Sequence, residues 1–133
     1  MIKWPITYTD YNGETRTEDF YFNLNKAEVM EMNLIHNGSF KQYLERIVEQ
    51  RDGAKMAEIF RSIILKSYGE KTPDGKRFVK SDELVAAFTQ TEAYAELYMQ
   101  LLTDEKAAPK FIEGIMPKAE ASGAPIPADM KLV

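Results

Sequence analysis

The stretch "DFYFNLNKAEVMEMNLIHNG", residues 19–38, changes the rhythm of its apolar residues halfway along without thinning them out. Phe20, Phe22 and Leu24 alternate with Tyr21 and Asn23, which is the period of a half-buried strand. Asn25 then intervenes. Beyond it Val29, Met30, Met32, Leu34 and Ile35 point almost all the way round a short helix, at about 100° per residue. A short helix without a polar face has to be covered, so one side is expected on the domain core and the other against a second chain.

Working outward, "KWPITYTDYNGETRTEDFYFNL" reads as a β-hairpin, with Asn12-Gly13 supplying the two positive-φ residues of a type I′ turn. Ile6, Tyr8 and Trp4 share one face of its first strand, and Phe20, Phe22 and Leu24 one face of the second. Pro5 suits an edge strand. A hairpin alone is marginal in water, so it is expected to pack on helices or to extend a sheet through its free edge.

Helices follow, with clear start and stop signals. Asn25 and Glu28 form an N-x-x-E capping box, and Gly38 closes that helix after His36. Ser39 and Gln42 cap a second helix carrying Phe40, Leu44, Ile47 and Val48. A third, from about Ala54 to Tyr68, has Met56, Ile59, Phe60, Ile63 and Ile64 in one stripe and Gly69 as its stop. "EKTPDGKRFVKS" is a loop or short hairpin around Pro73-Asp74-Gly75, with Phe78 as a latch holding it to the helices. Ser81 caps a short helix with Leu84, Val85 and Phe88, and from Thr91 a stripe of Tyr94, Leu97, Tyr98, Leu101 and Leu102 makes the next. A last helix begins at Thr103 or Asp104. Pro109 then falls just beyond its first turn, which requires a late start or a kink. The expected fold is mainly α-helical (α+β): a single domain over 1–117 with an N-terminal β-hairpin and five to six helices, followed by a disordered Ala/Pro/Gly-containing tail over 118–133.

Composition narrows the function classes. The 133 residues are 44% hydrophobic, enough for a core, and no apolar run reaches the 18 or so residues of a membrane span. The N-terminus has a Trp, a Pro and a polar hairpin where a signal peptide would be apolar, so a cytoplasmic protein is expected. With no cysteine there is no disulfide or thiolate metal site, and His36 is the only histidine, best placed as a helix-end cap. The net charge of -4 divides into -3 over 1–38, +4 over 39–80 and -5 over 81–133. Such a chain can pair with its own segments or with a copy of itself, and ordinary solvated helix faces give the same pattern.

No catalytic set emerges. Asp10, Glu14, Glu18 and Asp19 are scattered by strand alternation, and no phosphate-binding or calcium-binding spacing is present, so neither enzyme activity nor a cofactor is expected. Lys71, Lys76, Arg77 and Lys80 surround Phe78, but acidic flanks and a pI of about 5.1 oppose binding to a polyanion. What remains is apolar surface. Methionine adapts to varied partners, and it also fills cores, so Met30 and Met32 admit both roles.

Three stretches, "FYFNLNKAEVMEMNL" (20–34), "IVEQRDGAKMAEIFRSIILKSYGEKTPDGKRFVKS" (47–81) and "FTQTEAYAELYMQLLTDEKAAPKFIEGIMP" (88–117), taken in order, resemble the tail assembly chaperones of long-tailed bacteriophages of Gram-positive hosts. The similarity lies in the order of segments over about residues 18–117 rather than in a short signature. It implies a non-enzymatic protein of the bacterial host cytoplasm that coats the long, apolar, helical tape measure protein and helps recruit tail tube protein around it. It also implies self-association, and for many members a longer form made by ribosomal frameshifting, for which the Ala/Pro/Gly tail would be the linker. Neither nucleic acid nor membrane is an expected partner. The residues expected to meet a partner are Phe20, Phe22, Val29, Met30, Met32, Leu34 and Ile35, taken from the opening stretch and not carried over from the family. Two other classes fit the same residues: a self-assembling structural subunit, which assembled particles would retain, and a small acidic regulator that binds a basic partner through 81–117.

Overall fold

Alternation and capping in the opening stretch resolve into strand β2 (Thr15–Phe22) and helix α1 (Lys26–His36). The computed structural model describes residues 1–118. Around that pair it places β1 (Ile2–Thr9), α2 (Phe40–Gln50), α3 (Gly53–Ser67), β3 (Tyr68–Lys71), β4 (Phe78–Val79), α4 (Asp82–Thr89), α5 (Glu92–Thr103) and α6 (Ala107–Ile115). The architecture is α+β: six helices and an antiparallel sheet in the order β1-β2-β3-β4 among the described residues. The tail expected over 118–133 lies, apart from Lys118, outside the described residues.

The N-terminal hairpin is present, with Trp4 opposite Phe20 and Thr9 opposite Thr15, but its turn is not the expected type I′. Only Gly13 has positive φ, at 83°, and the Gly13 amide donates to the Asp10 carbonyl. That is a three-residue loop, a type I turn followed by a left-handed glycine. Asp10 selects it. Its Oδ1 accepts the amides of Asn12 and Glu14, both at 2.9 Å, while Oδ2 accepts the Arg16 Nε–H at 2.6 Å.

Beyond the hairpin the sheet is larger than expected. Helix α3 ends at Ser67, and Tyr68 and Gly69 enter β3, pairing with Phe22 and Tyr21. Gly69 therefore serves the sheet and not a helix stop. A Cβ there would meet the Phe78 ring at 2.6 Å and the Val79 carbonyl oxygen at 2.7 Å. The Phe78 ring thus lies over Gly69 of β3. Pro5 sits on the edge strand β1, where a missing N–H is tolerated.

Helix ends follow local chemistry. The Asn25–Glu28 capping box forms in both directions, and the Glu28 carboxylate also takes the Lys80 ammonium at 2.7 Å, tying the start of α1 to the end of β4. At the other end of α1 the left-handed position belongs to Asn37, φ 51°, and not to Gly38. The Gly38 amide closes the Schellman turn onto the Asn33 carbonyl. Asn is the non-glycine residue best suited to that conformation. Helix α6 starts late, at Ala107, so Pro109 falls within the first turn, where its missing N–H has no intrahelical partner to lose.

One buried cluster joins sheet and helices. Phe22 is wholly buried, with ring centroids of Phe111 at 5.1 Å, Tyr68 at 5.7 Å and Phe88 at 5.9 Å. Tyr68 and Phe88 stack at 4.2 Å, and Trp4 meets Phe111 edge-on. The amides of Asn23 and Leu24 donate to the carbonyls of Ser67 and Ile115, so the chain leaving β2 is bound to the ends of α3 and α6. This sheet side of the molecule fixes where α1 begins.

Candidate functional site

Helix α1 is apolar all round in sequence but not uniformly covered. Val29, Met32 and Asn33 form its buried face, Met30 and Leu34 are half-buried, and Ile35 is 77% exposed. Only Gly38 and Ser39 separate the Asn37 cap from α2, so the last turn of α1 and the first turn of α2 meet at a corner. Asn33 holds it. Its buried Oδ1 accepts the Phe40 amide at 2.8 Å, which satisfies one of the orphan donors at the start of α2 while Ser39 caps another.

Between this corner and one face of α3 lies an open groove of about 220 Å³. Its floor is Met32, Phe40, Leu44, Ile59 and Ile63. One wall is apolar and aromatic: Ile35, with the His36 ring stacked on Tyr43 at 4.8 Å and tilted against Phe40 at 5.4 Å. The other wall is polar, with Glu58, Ser62 and Lys66 at four-residue intervals along α3, all exposed. The volume is below the roughly 300–1,000 Å³ usual for small-molecule sites, and suits a few side chains of a partner better than a bound metabolite.

The residues singled out from sequence divide on this geometry. Met32 and Ile35 line the groove. Met30 and Leu34 are half-buried on α1 outside the groove lining. Phe22 and Val29 are core, which leaves them no surface with which to meet a partner. Phe20 is half-buried on the sheet, against Phe88 and Tyr8. Missed from sequence were Tyr43, which lies off the apolar stripe of α2, and the α3 wall. A signal was available for Tyr43: a two-residue link beyond the cap forces the residue one turn into α2 to face the end of α1.

The other candidates take structural positions. Lys80 is bound to Glu28 and stands 5.9 Å from the centre of the Phe78 ring. Burial pushes the Tyr68 and Tyr94 phenols up from their ordinary value, as the aromatic side of the core requires. Among the described residues no group of three or more His, Asp or Glu could hold a metal ion, and no helix is long and apolar enough to cross a membrane.

Comparison with known proteins gives one result. No curated protein and no solved structure matched the chain. A family profile described as "Phage tail assembly chaperone" matches residues 1–123, which takes in both strands of the hairpin, all six helices and every residue of the groove. The chain belongs to the phage tail assembly chaperone family.

Proposed function

We propose that this protein is a non-enzymatic holder of the phage tape measure protein, working in the bacterial host cytoplasm and assisting assembly of the tail tube around that client. The observation that carries the reading is the groove at the α1–α2 corner, where Ile35 is 77% and Tyr43 36% exposed above a nearly covered floor that includes Met32 and Phe40. A long helical client cannot bury its apolar stripe before a tube forms. A shallow groove that accepts the apolar face of a helix covers such a stripe a few residues at a time. Methionine in the floor adapts to different side chains. Many copies associating along one client would supply avidity that a single shallow contact lacks. The same self-association would bring tube subunits to a client already coated.

The test is co-expression with the long apolar coiled protein encoded nearby, followed by size exclusion with light scattering. The client is expected to be soluble only with this chain and to elute with it as one large species. Ile35→Ser together with Tyr43→Ser, both at exposed positions, is expected to keep the fold and lose the client. A double variant that stays folded and still holds the client removes the groove from the interface. A client that stays insoluble beside the soluble wild-type chain ends the holder reading altogether.

A further inference from the structure

The two walls of the groove differ in kind, and the difference has a direction along α3. Glu58 and Lys66 are eight residues apart, which at about 1.5 Å per residue is about 12 Å, or a little over two helical turns. Neither has a salt-bridge partner among the described residues, whereas Lys80 is paired with Glu28 and Lys41 with Glu113. Ser62 between them is small, which leaves room for a helix to approach. The opposite wall, Ile35 and Tyr43 with His36 between them, carries no acidic residue and no Lys or Arg.

We propose that the groove reads charge as well as apolar shape: it takes an amphipathic helix from another protein, laid along α3, whose aliphatic i, i+4 pair sits on the floor. That helix carries a basic residue facing Glu58 and an acidic residue about two turns away facing Lys66. The inference rests on the groove being the client site and adds what part of a client it selects. Apolar contact with the exposed Ile35 and Tyr43, and with the little of Met32, Phe40 and Ile59 left open beneath them, supplies most of the attraction, and the wall charges choose among apolar segments. A client stripe flanked by charges of one sign would be held less well than one with mixed charges. Each mismatched contact weakens binding about threefold to tenfold, the range for exposed ion pairs turned from attraction to repulsion.

Three labelled synthetic helical peptides test this, identical in their central Leu pair and differing only in flanking charges two turns apart: Lys with Glu, Lys with Lys, and Glu with Glu. Fluorescence anisotropy against the full chain at low salt is expected to rank the mixed peptide first. Glu58→Lys is expected to move the preference to the Glu/Glu peptide, and Lys66→Glu to the Lys/Lys peptide. Both substitutions are on an exposed wall and leave the core intact. At about 1 M salt the ranking is expected to vanish, since charges are then screened within about 3 Å, while binding through the Leu pair persists. Equal binding of all three peptides at low salt overturns the inference, as does a ranking that neither wall variant changes. Failure of all three peptides to bind also overturns it. In each case the co-expression result with Ile35→Ser and Tyr43→Ser stands independently, so the holder reading can survive the loss of this one.

Discussion

The sheet side and the corner side of this protein are both apolar, yet they are built from different residues and covered to different degrees. Around Phe22 the filling is aromatic, with Trp4, Tyr68, Phe88 and Phe111 in stacked or edge-on contact. Aromatic rings fix one another's orientation, and such pairs add about 0.5–1.5 kcal/mol to area burial. At the α1–α2 corner the floor, Met32, Leu44, Ile59 and Ile63, is itself nearly covered, and what stands open is the wall, Ile35 and Tyr43. A closed aromatic core holds one arrangement; side chains left exposed on a groove wall, Ile35 and Tyr43, keep their freedom to meet more than one shape. Hydrophobicity alone therefore does not separate the packed apolar residues of this chain from the exposed ones, whereas coverage does.

The largest expected effect tests that division directly. Phe22→Ala removes a wholly buried ring and is expected to cost about 3–5 kcal/mol in urea denaturation. Ile35→Ser, at an apolar residue on the same continuous stretch of sequence, is expected to change stability by no more than about 0.5 kcal/mol. Similar losses at the two positions would mean that the groove is covered in solution and that the contrast is false.

Two glycines sharpen the contrast within the sheet side itself. A Cβ at Gly114 would run into the Ile2 side chain, and one at Gly69 into the Phe78 ring and the Val79 carbonyl oxygen. Each glycine-to-alanine change is expected to cost about 1–3 kcal/mol. Relief should differ. Shortening Ile2 to Ala is expected to recover part of the Gly114→Ala loss, because it removes the contacts with Cδ1 and Cγ1 and leaves the one with Cβ at 2.8 Å. No side-chain trimming is expected to rescue Gly69→Ala fully, because one of its obstacles is backbone. A double-mutant cycle measured by thermal unfolding checks both.

Why the sheet was only half legible follows from the same residues. Helix starts were readable because Asn25, Ser39, Ser81 and Thr91 each accept an amide three residues on, a purely local event; Asp52 does the same for α3 and went unread. The N-terminal hairpin was readable from its alternation, but its turn type was not, because Asp10 takes loop amides that a rule based on Asn-Gly ignores. The short hairpin around Pro73-Asp74-Gly75 was readable and forms as β3 and β4, but the pairing of β3 with β2 was hidden because Tyr68 and Gly69 look like a helix end, and their partners, Phe22 and Tyr21, lie far away in sequence. For the groove, α1 pointed to Met32 and Ile35, whereas the wall supplied by Glu58 and Lys66 depends on how α3 packs across the corner. Local chemistry could be read directly; long-range pairing could not.

Asn33 holds the corner together, and its loss should show whether the corner unfolds apart from the aromatic core. Asn33→Ala leaves the buried Phe40 amide without its side-chain acceptor, an expected cost of about 1–3 kcal/mol. Because that amide opens α2 beside the groove, the expected signature is local. Amide exchange should rise first around residues 37–43, and the Tyr68–Phe88 region should keep its protection. Uniform loss of protection across both regions would make the corner part of the same cooperative unit as the aromatic core.

The smallest effect expected is at the hairpin tip, remote from both regions. The Arg16 hydrogen bond, with the Glu14 amide next, holds the Asp10 carboxyl below its ordinary value of 3.8. A depressed carboxylate favours the folded turn above that value, and the contribution disappears as pH falls through the lowered folded value. The Asn12 and Glu14 amide resonances are therefore expected to hold steady above about pH 4 and to move together at lower pH, since both donate to Asp10. Asp74 is depressed in the same sense, first by the Thr72 hydroxyl and then by the Lys76 amide, so the Lys76 resonance should move in the same acidic window. If these are local turn events, the ring resonances of Phe22 and Phe88 will stay fixed while the turn amides move. If the rings move with them, the turns are coupled to the aromatic core, and the core's persistence depends on the hairpin tips as well as on its own packing.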